Sequence, residues 1–244
     1  MKNLSWVERL EAFKEVFPDN PDIWPAVVPS GRWLQMNWLL GCNFGYTAEA
    51  RATGLAREKH PYHRDLLPRL LALFPDRDRL LHVFSGLIPP SEEYDTLDID
   101  PRVNPTFCCD FQGELPYAPE TYDLVIIDLD LEGVLTHGRN GALVRRNVIR
   151  PDSVKNNFVK SICPGGYGIW IDTMFPPVPK EVMLHCGMLS FYPSSFRAGR
   201  AAHVFRKQGS LSVCPAPQQQ DPFEQRLRRV DTELESVCNA EEAP

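Results

Sequence analysis

Five short apolar runs recur between residues 80 and 171, with turn-forming residues between them. The runs are Leu80–Phe84, Tyr94–Leu97, Pro105–Cys109, Tyr122–Ile127 and Tyr167–Ile171. Runs that stay apolar on consecutive positions are typical of parallel strands buried on both faces of a sheet. Residues 152–162 supply a helix between the last two runs, and Met183–Tyr192 and Ala201–Arg206 are candidates for two further strands. We therefore predict an α/β fold over residues 80–209, Rossmann-like, with a mostly parallel central sheet and helices on both faces.

The residues before this domain have a different pattern. Ser5-x-x-Glu8 is a capping-box signature, which predicts a helix that runs to about Phe17. Residues 33–46 are rich in aromatic side chains, which either pack against the main domain or form a surface that stacks on a planar substrate. We assign residues 1–79 to an N-terminal extension of helices and loops packed on the core.

The composition changes again after Gly209. Residues 210–221, rich in Ser, Pro and Gln, are typical of a linker, and we predict an amphipathic helix and a tail over residues 222–244. The apolar positions of that helix are spaced four and three residues apart in alternation: Phe223, Leu227, Val230, Leu234 and Val237. Because a short isolated helix is marginal in water, we expect this seam to pair with a second copy in a homodimer or to fold back onto its own domain.

Charge and composition exclude several classes of protein. A formal net charge of −6 over 244 residues argues against a protein that coats nucleic acid nonspecifically. The longest apolar runs fall far short of a membrane span and the N-terminus lacks the apolar stretch of a secretory signal, so we expect a cytoplasmic protein without membrane contact. The cysteines do not fall in a zinc-ligand spacing, and we predict no metal site. Residues 137–160 differ from the rest, since they contain six basic residues and a single acid, Asp152.

Acidic residues end three of the predicted strands in succession. Asp98 ends the second strand, Asp110 the third and Asp128 the fourth. In an open parallel sheet, ligands bind outside the carboxyl ends of the strands, where the strand order reverses. An acid at the end of the second strand is well placed to accept hydrogen bonds from two ribose hydroxyls. Three acids in register, each after an apolar run, indicate a ligand site rather than charges for solubility.

Five motifs follow one another across the predicted sheet. They are Leu81-His82-Val83-Phe84-Ser85-Gly86, Leu97-Asp98-Ile99-Asp100-Pro101, Asp110 with Leu115-Pro116-Tyr117, Tyr122-Asp123-Leu124-Val125-Ile126-Ile127-Asp128, and Cys163-Pro164-Gly165-Gly166-Tyr167. In order and spacing they resemble class I S-adenosylmethionine (SAM) dependent methyltransferases, and within that group bacterial and phage DNA methyltransferase-like proteins. The resemblance covers about half of the chain. It implies a methyltransferase fold and SAM as the cofactor.

The resemblance also implies which residues contact the cofactor. They lie at the ends of the first three strands: Phe84, Ser85, Gly86, Asp98, Ile99, Asp110 and Phe111. The first three would border the methionine end of SAM. Asp98 would hold the ribose, and Asp110 and Phe111 would lie beside the adenine.

At the end of the fourth strand the chain departs from these relatives. They often carry Asp-Pro-Pro-Tyr, where this chain has Asp128-Leu129-Asp130-Leu131. The acid that accepts a hydrogen bond from a target amine is retained, but the prolines and the stacking aromatic ring are absent. We take Asp128, which would face the transferred methyl group, and Asp130 as the catalytic candidates. A second departure is that residues 87–97 leave no room for a full helix between the first two strands.

Three functions remain open. The first is a methyltransferase that acts on nucleic acid or a nucleotide-like substrate. In this case the phosphate contacts come from Arg139, Arg145, Arg146 and Arg150, for which a solvated helix face is the alternative. The second is a catalytically degenerate methyltransferase fold that serves as a binding or inhibitory module, which the Asp-Leu-Asp-Leu sequence favours. The third is a small-molecule methyltransferase, for which an acidic net charge is no handicap.

Overall fold

The computed structural model describes residues 4–18, 26–27, 32–40, 44–45, 48–52, 54, 62–89, 91–128, 135–137, 143–145, 151–172, 176, 178–192 and 200–209. The strands are β1 (Ala26–Val27), β2 (Leu34–Leu39), β3 (Phe44–Gly45), β4 (Tyr62–His63), β5 (Leu80–Val83), β6 (Asp95–Asp98), β7 (Phe107–Cys108), β8 (Tyr122–Asp128), β9 (Leu135–His137), β10 (Leu143–Arg145), β11 (Ile162–Asp172), β12 (Met183–Tyr192) and β13 (Arg200–Lys207). The helices are α1 (Trp6–Val16), α2 (Ala48–Ala52), α3 (Leu66–Ala72) and α4 (Pro151–Ser161), and Pro101–Val103 form a single 3-10 turn.

Nine of these strands form one mixed sheet, in the order β1-β2-β12-β13-β11-β8-β5-β6-β7. All neighbours from β11 to β7 pair in parallel, and so do β2 and β12. Strand β13 is antiparallel to both β11 and β12, and β1 is antiparallel to β2. The sheet is therefore mostly parallel, as predicted, but it contains an interior antiparallel strand that the sequence pattern did not reveal.

The order of the strands reverses between β5 and β8. From β5 the chain moves outward through β6 to β7, and then returns to the other side of β5 to form β8 and β11. This is the doubly wound arrangement of Rossmann-like α/β folds, in which a crevice opens at the carboxyl ends of the strands on either side of the reversal. The predicted α/β class is confirmed at this level.

Helices cover both faces of the sheet. Trp6 and Phe13 of α1 and Leu70 of α3 belong to the hydrophobic cluster on one face, whereas Val154 and Phe158 of α4 belong to the cluster on the other face. The connections from β5 to β6 and from β6 to β7 contain no α-helix within their described residues, which are all except residue 90. The prediction that no full helix fits between the first two strands is thus confirmed, and the described part of the chain has fewer helices than a regular doubly wound domain.

The capping box predicted for α1 is present. The Ser5 Oγ accepts a hydrogen bond from the Glu8 backbone N–H at 3.3 Å, and the Glu8 carboxylate accepts one from the Ser5 N–H at 2.7 Å. These bonds satisfy two of the donors that a helix start leaves without partners. The sequence signature therefore predicted the start of the helix correctly.

Helix α1 is held against the sheet by Arg9, whose side chain is fully buried. Its guanidinium forms a bidentate ion pair with Asp76, with N–O distances of 2.7 and 3.1 Å. The Arg9 Cζ also lies 4.9 Å from the ring centroid of Phe74 and 4.8 Å from that of Tyr167. A buried charge needs such partners, because desolvation without them is costly. Arg9 therefore connects α1 to both the chain after α3 and strand β11.

Strand β2 carries the aromatic segment whose role the sequence left open. Leu34, Met36 and Trp38 are fully buried and point to the face that α1 covers, where Trp38 stacks on Phe13 with ring centroids 6.0 Å apart. For these residues the core interpretation is confirmed. The strand extends the sheet by pairing in parallel with β12.

Several predictions fall outside the described residues. The linker and the C-terminal helix belong to residues 210–244, which the structure does not describe, so the predicted homodimer stays a prediction. Among the described helices, none is long and apolar enough to cross a membrane.

Candidate ligand-binding site at the carboxyl edge of the sheet

The carboxyl ends of β5, β6 and β8 bring the predicted site residues to one edge of the sheet. Because these strands are parallel neighbours, Phe84, Asp98 and Asp128 all follow or end their strands on the same side. Strand β13 is antiparallel to β11, so its first residue, Arg200, begins at this edge. The reversal of strand order between β5 and β8 lies in the middle of the group.

The turn after β5 contains two residues with left-handed backbone conformations. Phe84 has a φ of 56° and Gly86 a φ of 53°. Glycine adopts this conformation readily, but for a bulky aromatic residue it is a strained outlier of the kind that clusters at functional sites. A Cβ added at Gly86 would meet no described atom within 4 Å.

Asp98 connects this turn to the end of β6. Its side chain is buried, with a relative exposure of 6%. Its carboxylate accepts hydrogen bonds from the backbone N–H groups of Gly86 and Asp100, each at 2.9 Å. An ionised carboxylate has about four lone-pair sites, so two such bonds leave capacity for a ligand. Asp98 therefore shapes the site as well as supplying an acceptor to it.

Ser85 contributes mainly through its backbone. It is 4% exposed, its N–H donates to the Leu97 carbonyl at 3.3 Å, and its own carbonyl accepts a bond from Ile88. These bonds hold the turn against the end of β6.

Residues near the third strand divide into exposed and buried groups. Ile99 is 48% exposed, and Asp110 is exposed while its carboxylate accepts a bond from the Gln112 N–H at 2.9 Å. Phe111, by contrast, is fully buried, and its ring lies edge-on to that of Phe84 with centroids 6.0 Å apart. The structure therefore places Phe111 in the hydrophobic core, where it supports the Phe84 turn, rather than on the surface of the site.

Asp128 forms an ion pair that the sequence did not predict. The Arg200 Nη2 lies 2.6 Å from the Asp128 Oδ1 and 3.5 Å from the Ile171 carbonyl oxygen. The Arg200 side chain is 24% exposed and the Asp128 side chain 26%. Arg200 and Asp128 are 72 residues apart, and only the antiparallel direction of β13 brings them together, so no local signal was available.

His82 is a second residue that the sequence analysis did not assign to the site. It lies on β5 between Thr96 of β6 and Ile126 of β8, and is 2% exposed. Burial lowers the pKa of His82 to about 4, although the negative charges of Asp128 and Asp98 act in the opposite direction. Its Nδ1 has no hydrogen-bond partner among the described residues. A neutral imidazole thus lies close to the two acids. The sequence signal that could have identified His82 was its place in the first motif, Leu81–Gly86.

The remaining predicted residues cannot be placed. Asp130, Arg139, Arg146 and Arg150 lie outside the described residues, and of Arg145 only the backbone, in β10, is described.

Comparisons with known proteins give likenesses to solved structures alone. No protein-family model and no curated protein matches the chain. The N-methyltransferase NodS from Bradyrhizobium japonicum, solved with S-adenosyl-L-homocysteine (SAH), is 13% identical, with 59% of this chain and 87% of that chain covered and a TM-score of 0.41. A TehB-like SAM-dependent methyltransferase from Corynebacterium glutamicum is 14% identical, with 65% and 95% covered and a TM-score of 0.39. CalS10, a SAM-bound amino pentose methyltransferase from Micromonospora echinaspora, is 17% identical, with 55% and 60% covered and a TM-score of 0.32.

Proposed function

We propose that this chain is a SAM-dependent methyltransferase whose cofactor binds at the carboxyl edge of β5, β6 and β8. The observation that carries the proposal is the buried Asp98 carboxylate, fixed beside the strained Phe84–Gly86 turn at the reversal of strand order. That is where open α/β sheets bind nucleotide-like ligands.

The residues at this edge fit the chemistry of SAM. Asp98 offers acceptor capacity for ribose hydroxyls, and Ile99 and Asp110 present apolar and polar surface next to it. SAM would supply a methyl group on a positively charged sulfur, while the charge of Asp128 at this edge is paired with Arg200. Within the site the chain's own residues bind and orient the reactants.

Two observations bear on the acceptor. The prediction of a nucleic-acid substrate depends on the basic residues of 137–160 and remains a prediction. A steep fall of DNA affinity with rising salt concentration would support it. A catalytically degenerate binding module is the second candidate, and the Arg200–Asp128 ion pair favours it because that pair occupies one oxygen of Asp128, the catalytic candidate that lies within the described residues.

Calorimetric titration with SAM and SAH tests the cofactor assignment. We expect wild type to bind both ligands, and Asp98→Ala to bind them about ten- to a hundredfold more weakly, since a buried acceptor is lost. Asp100→Ala is the matched control: it removes the neighbouring acid, whose described side-chain bonds go to Arg102, and should change the affinity little.

The Asp98→Ala variant also loses two bonds to the backbone, so its thermal unfolding must be followed in parallel. Titrations are then compared only at temperatures where both variants are folded. Absence of SAM and SAH binding to folded wild type would exclude the proposed function.

A further inference from the structure

The side-chain amide of Asn157, on helix α4, bonds to the turn that follows strand β7. We infer that Asn157 is a positioning residue for the nucleobase end of the cofactor. It fixes the turn that carries Asp110, and so makes the site prefer adenine to a base without an exocyclic amine. This inference rests on the proposed function and deepens it by naming a residue that sets the specificity of the cofactor site.

The turn after β7 has a fixed internal shape. It is closed by a bond from the Gly113 N–H to the Asp110 carbonyl at 3.0 Å. The Asp110 Oδ1 also accepts bonds from the backbone N–H and the side-chain amide of Gln112, at 2.9 and 3.3 Å. An aspartate that bonds to the backbone two residues on is a common feature of turns. Because both bonds go to one oxygen and Asp110 is exposed, its carboxylate keeps capacity to accept a further bond.

Bonds within the turn do not determine where the turn lies, but the bonds from Asn157 do. The Asn157 Nδ2 donates to the Phe111 carbonyl at 2.6 Å and to the Gly113 carbonyl at 2.9 Å. Both partners are carbonyl oxygens, which only accept, so the amide must direct its NH2 group toward them. These bonds join residues 46 and 44 positions apart, and they fix both sides of the turn relative to α4.

The contact is supported by the hydrophobic core. Val154 and Phe158 of α4 are fully buried in the cluster that also contains Phe111. The Phe111 ring lies edge-on to that of Phe84, with centroids 6.0 Å apart. Phe111 is therefore held by its ring on one side and by its carbonyl on the other. Without the bonds from Asn157 the ring stays anchored, but the backbone of the turn, and with it Asp110, can shift.

The order of the strands places this turn at the base end of the proposed cofactor. From β8 the sheet runs through β5 and β6 to β7, and Asp98 at the end of β6 pairs with Cys108 of β7. In SAM the ribose lies between the base and the sulfonium. With the ribose at Asp98 and the methyl group toward β5 and β8, the base lies toward β7 and Asp110.

Adenine and hypoxanthine present different groups to a carboxylate. Adenine carries an exocyclic amine, which donates. Hypoxanthine carries a carbonyl oxygen at that position, which only accepts, and its donor is the neighbouring ring N–H. A carboxylate that is held in place matches the first pattern and repels the second. A turn that can shift would accept from the ring N–H instead, so the preference for adenine depends on how firmly Asn157 holds Asp110.

The test compares two neighbouring asparagines of α4. Asn157→Asp keeps the size of the side chain but replaces the donating NH2 with an oxygen that faces the two carbonyls. Asn156→Asp makes the same change of charge at an exposed position one residue away. Calorimetric titration of the full chain with SAH and with S-inosylhomocysteine gives the ratio of the two affinities. We expect wild type and Asn156→Asp to prefer SAH by about tenfold or more, and Asn157→Asp to lose most of this preference.

The ratio separates positioning from stability. If Asn157 only stabilised the fold, its loss would weaken both ligands alike and leave the ratio unchanged. Asp110→Ala should also lower the ratio, and adding Asn157→Asp to it should lower the ratio no further, since Asn157 acts through Asp110. Asn157→Ala removes the donors without adding a charge, and its ratio provides the same test if the aspartate variant does not fold.

The inference is overturned if the folded Asn157 variants keep the wild-type ratio or if Asn156→Asp lowers the ratio as much as Asn157→Asp. It is also overturned if wild type binds the two ligands equally. Absence of SAH binding to folded wild type overturns the proposed function itself, and the inference with it.

Discussion

Phe84 has a backbone conformation that a large side chain adopts at a cost. Its φ of 56° places its Cβ close to neighbouring backbone atoms, which costs roughly 1–2 kcal/mol for a residue other than glycine. The conformation persists because the Ser85 and Gly86 N–H groups are bonded to Leu97 and Asp98, which fixes the turn, and because the Phe84 ring packs on Phe111. The strain is thus held in place next to the candidate site.

Two substitutions at Phe84 separate the strain from the ring. Phe84→Ala and Phe84→Gly both remove the ring, but only glycine relieves the left-handed backbone. We therefore expect Phe84→Gly to be more stable than Phe84→Ala by about 1 kcal/mol, which reverses the usual order of these residues. Urea denaturation of the two variants measures the difference. If alanine is the more stable residue at this position, then the turn is not strained in solution.

His82 makes stability depend on pH. Its pKa is about 4 in the folded protein, chiefly because of burial, and near 6.5 when unfolded. Between these values the unfolded chain binds more protons, so the contribution is complete above pH 6.5 and is lost as the pH falls toward 4. From pH 7 to pH 5 this amounts to about 2 kcal/mol.

A His82→Gln variant should lose that part of the pH dependence when unfolding is measured between pH 5 and pH 7. His185 provides the control, since its pKa is also lowered to about 4, by burial first and then by the charge of His203. His185→Gln should reduce the pH dependence of stability but leave the pH dependence of SAM affinity unchanged. His82→Gln should alter both when the affinity is also followed down to pH 4, because the His82 imidazole gains its proton there, close to Asp98 and Asp128. Equal effects of the two variants on affinity would show that His82 does not act on the site.

At the scale of elements, burial explains which strands the sequence revealed. The prediction of Tyr122–Ile127 differs from β8 by one residue, and that of Met183–Tyr192 matches β12, because both strands carry strong apolar patterns. The pairing of β2 with β12 and the direction of β13 depend on contacts between distant segments, which a local pattern does not contain. The local pattern was enough to predict that Asp98 and Gly86 lie at one edge of the sheet. It did not predict that Arg200 lies there, because the position of Arg200 depends on the direction of β13.

Helix α4 packs on β11 so closely that it depends on a glycine. A Cβ added at Gly168 would overlap the ring of Phe158. Lys207 stabilises the other end of the contact, since its Nζ donates to the Val159 and Ile162 carbonyls at the end of the helix, at 3.0 and 2.7 Å. The end of α4 and the start of β11 are thus both bonded to β13.

Gly168→Ala should therefore destabilise the fold by about 1–3 kcal/mol through overpacking. Gly113→Ala is the control, because a Cβ there makes only an ordinary contact, 3.4 Å from the Asp110 carbonyl oxygen. Combining Gly168→Ala with Phe158→Leu should recover part of the loss, which a double-mutant cycle in urea measures. A strictly additive cycle would contradict the contact between Phe158 and residue 168.

At the scale of the whole molecule, the chain divides into two units, residues 1–209 and 210–244. The last strand, β13, ends at Lys207, so the first unit contains every strand of the nine-stranded sheet. The second unit carries the seam of alternating four- and three-residue spacing, with Arg226, Arg228 and Arg229 before Asp231, Glu233 and Glu235. A positive first half and a negative second half suit antiparallel pairing of two copies.

Truncation after Gly209 tests whether self-association depends on residues 210–244 while stability and SAM binding depend on residues 1–209. We expect the shortened chain to keep the unfolding midpoint and the SAM affinity of the full chain, since all nine strands of the sheet and the described residues of the candidate site lie within residues 1–209. We also expect it to be monomeric where the full chain is a dimer, as measured by light scattering at matched concentrations. Leu227→Asp in the full chain is the complementary variant, because a charge in the seam should dissociate the dimer without shortening the protein. An oligomeric state that neither change alters would rule out pairing through the seam, and a lower unfolding midpoint in both variants would indicate that the seam packs on its own domain instead.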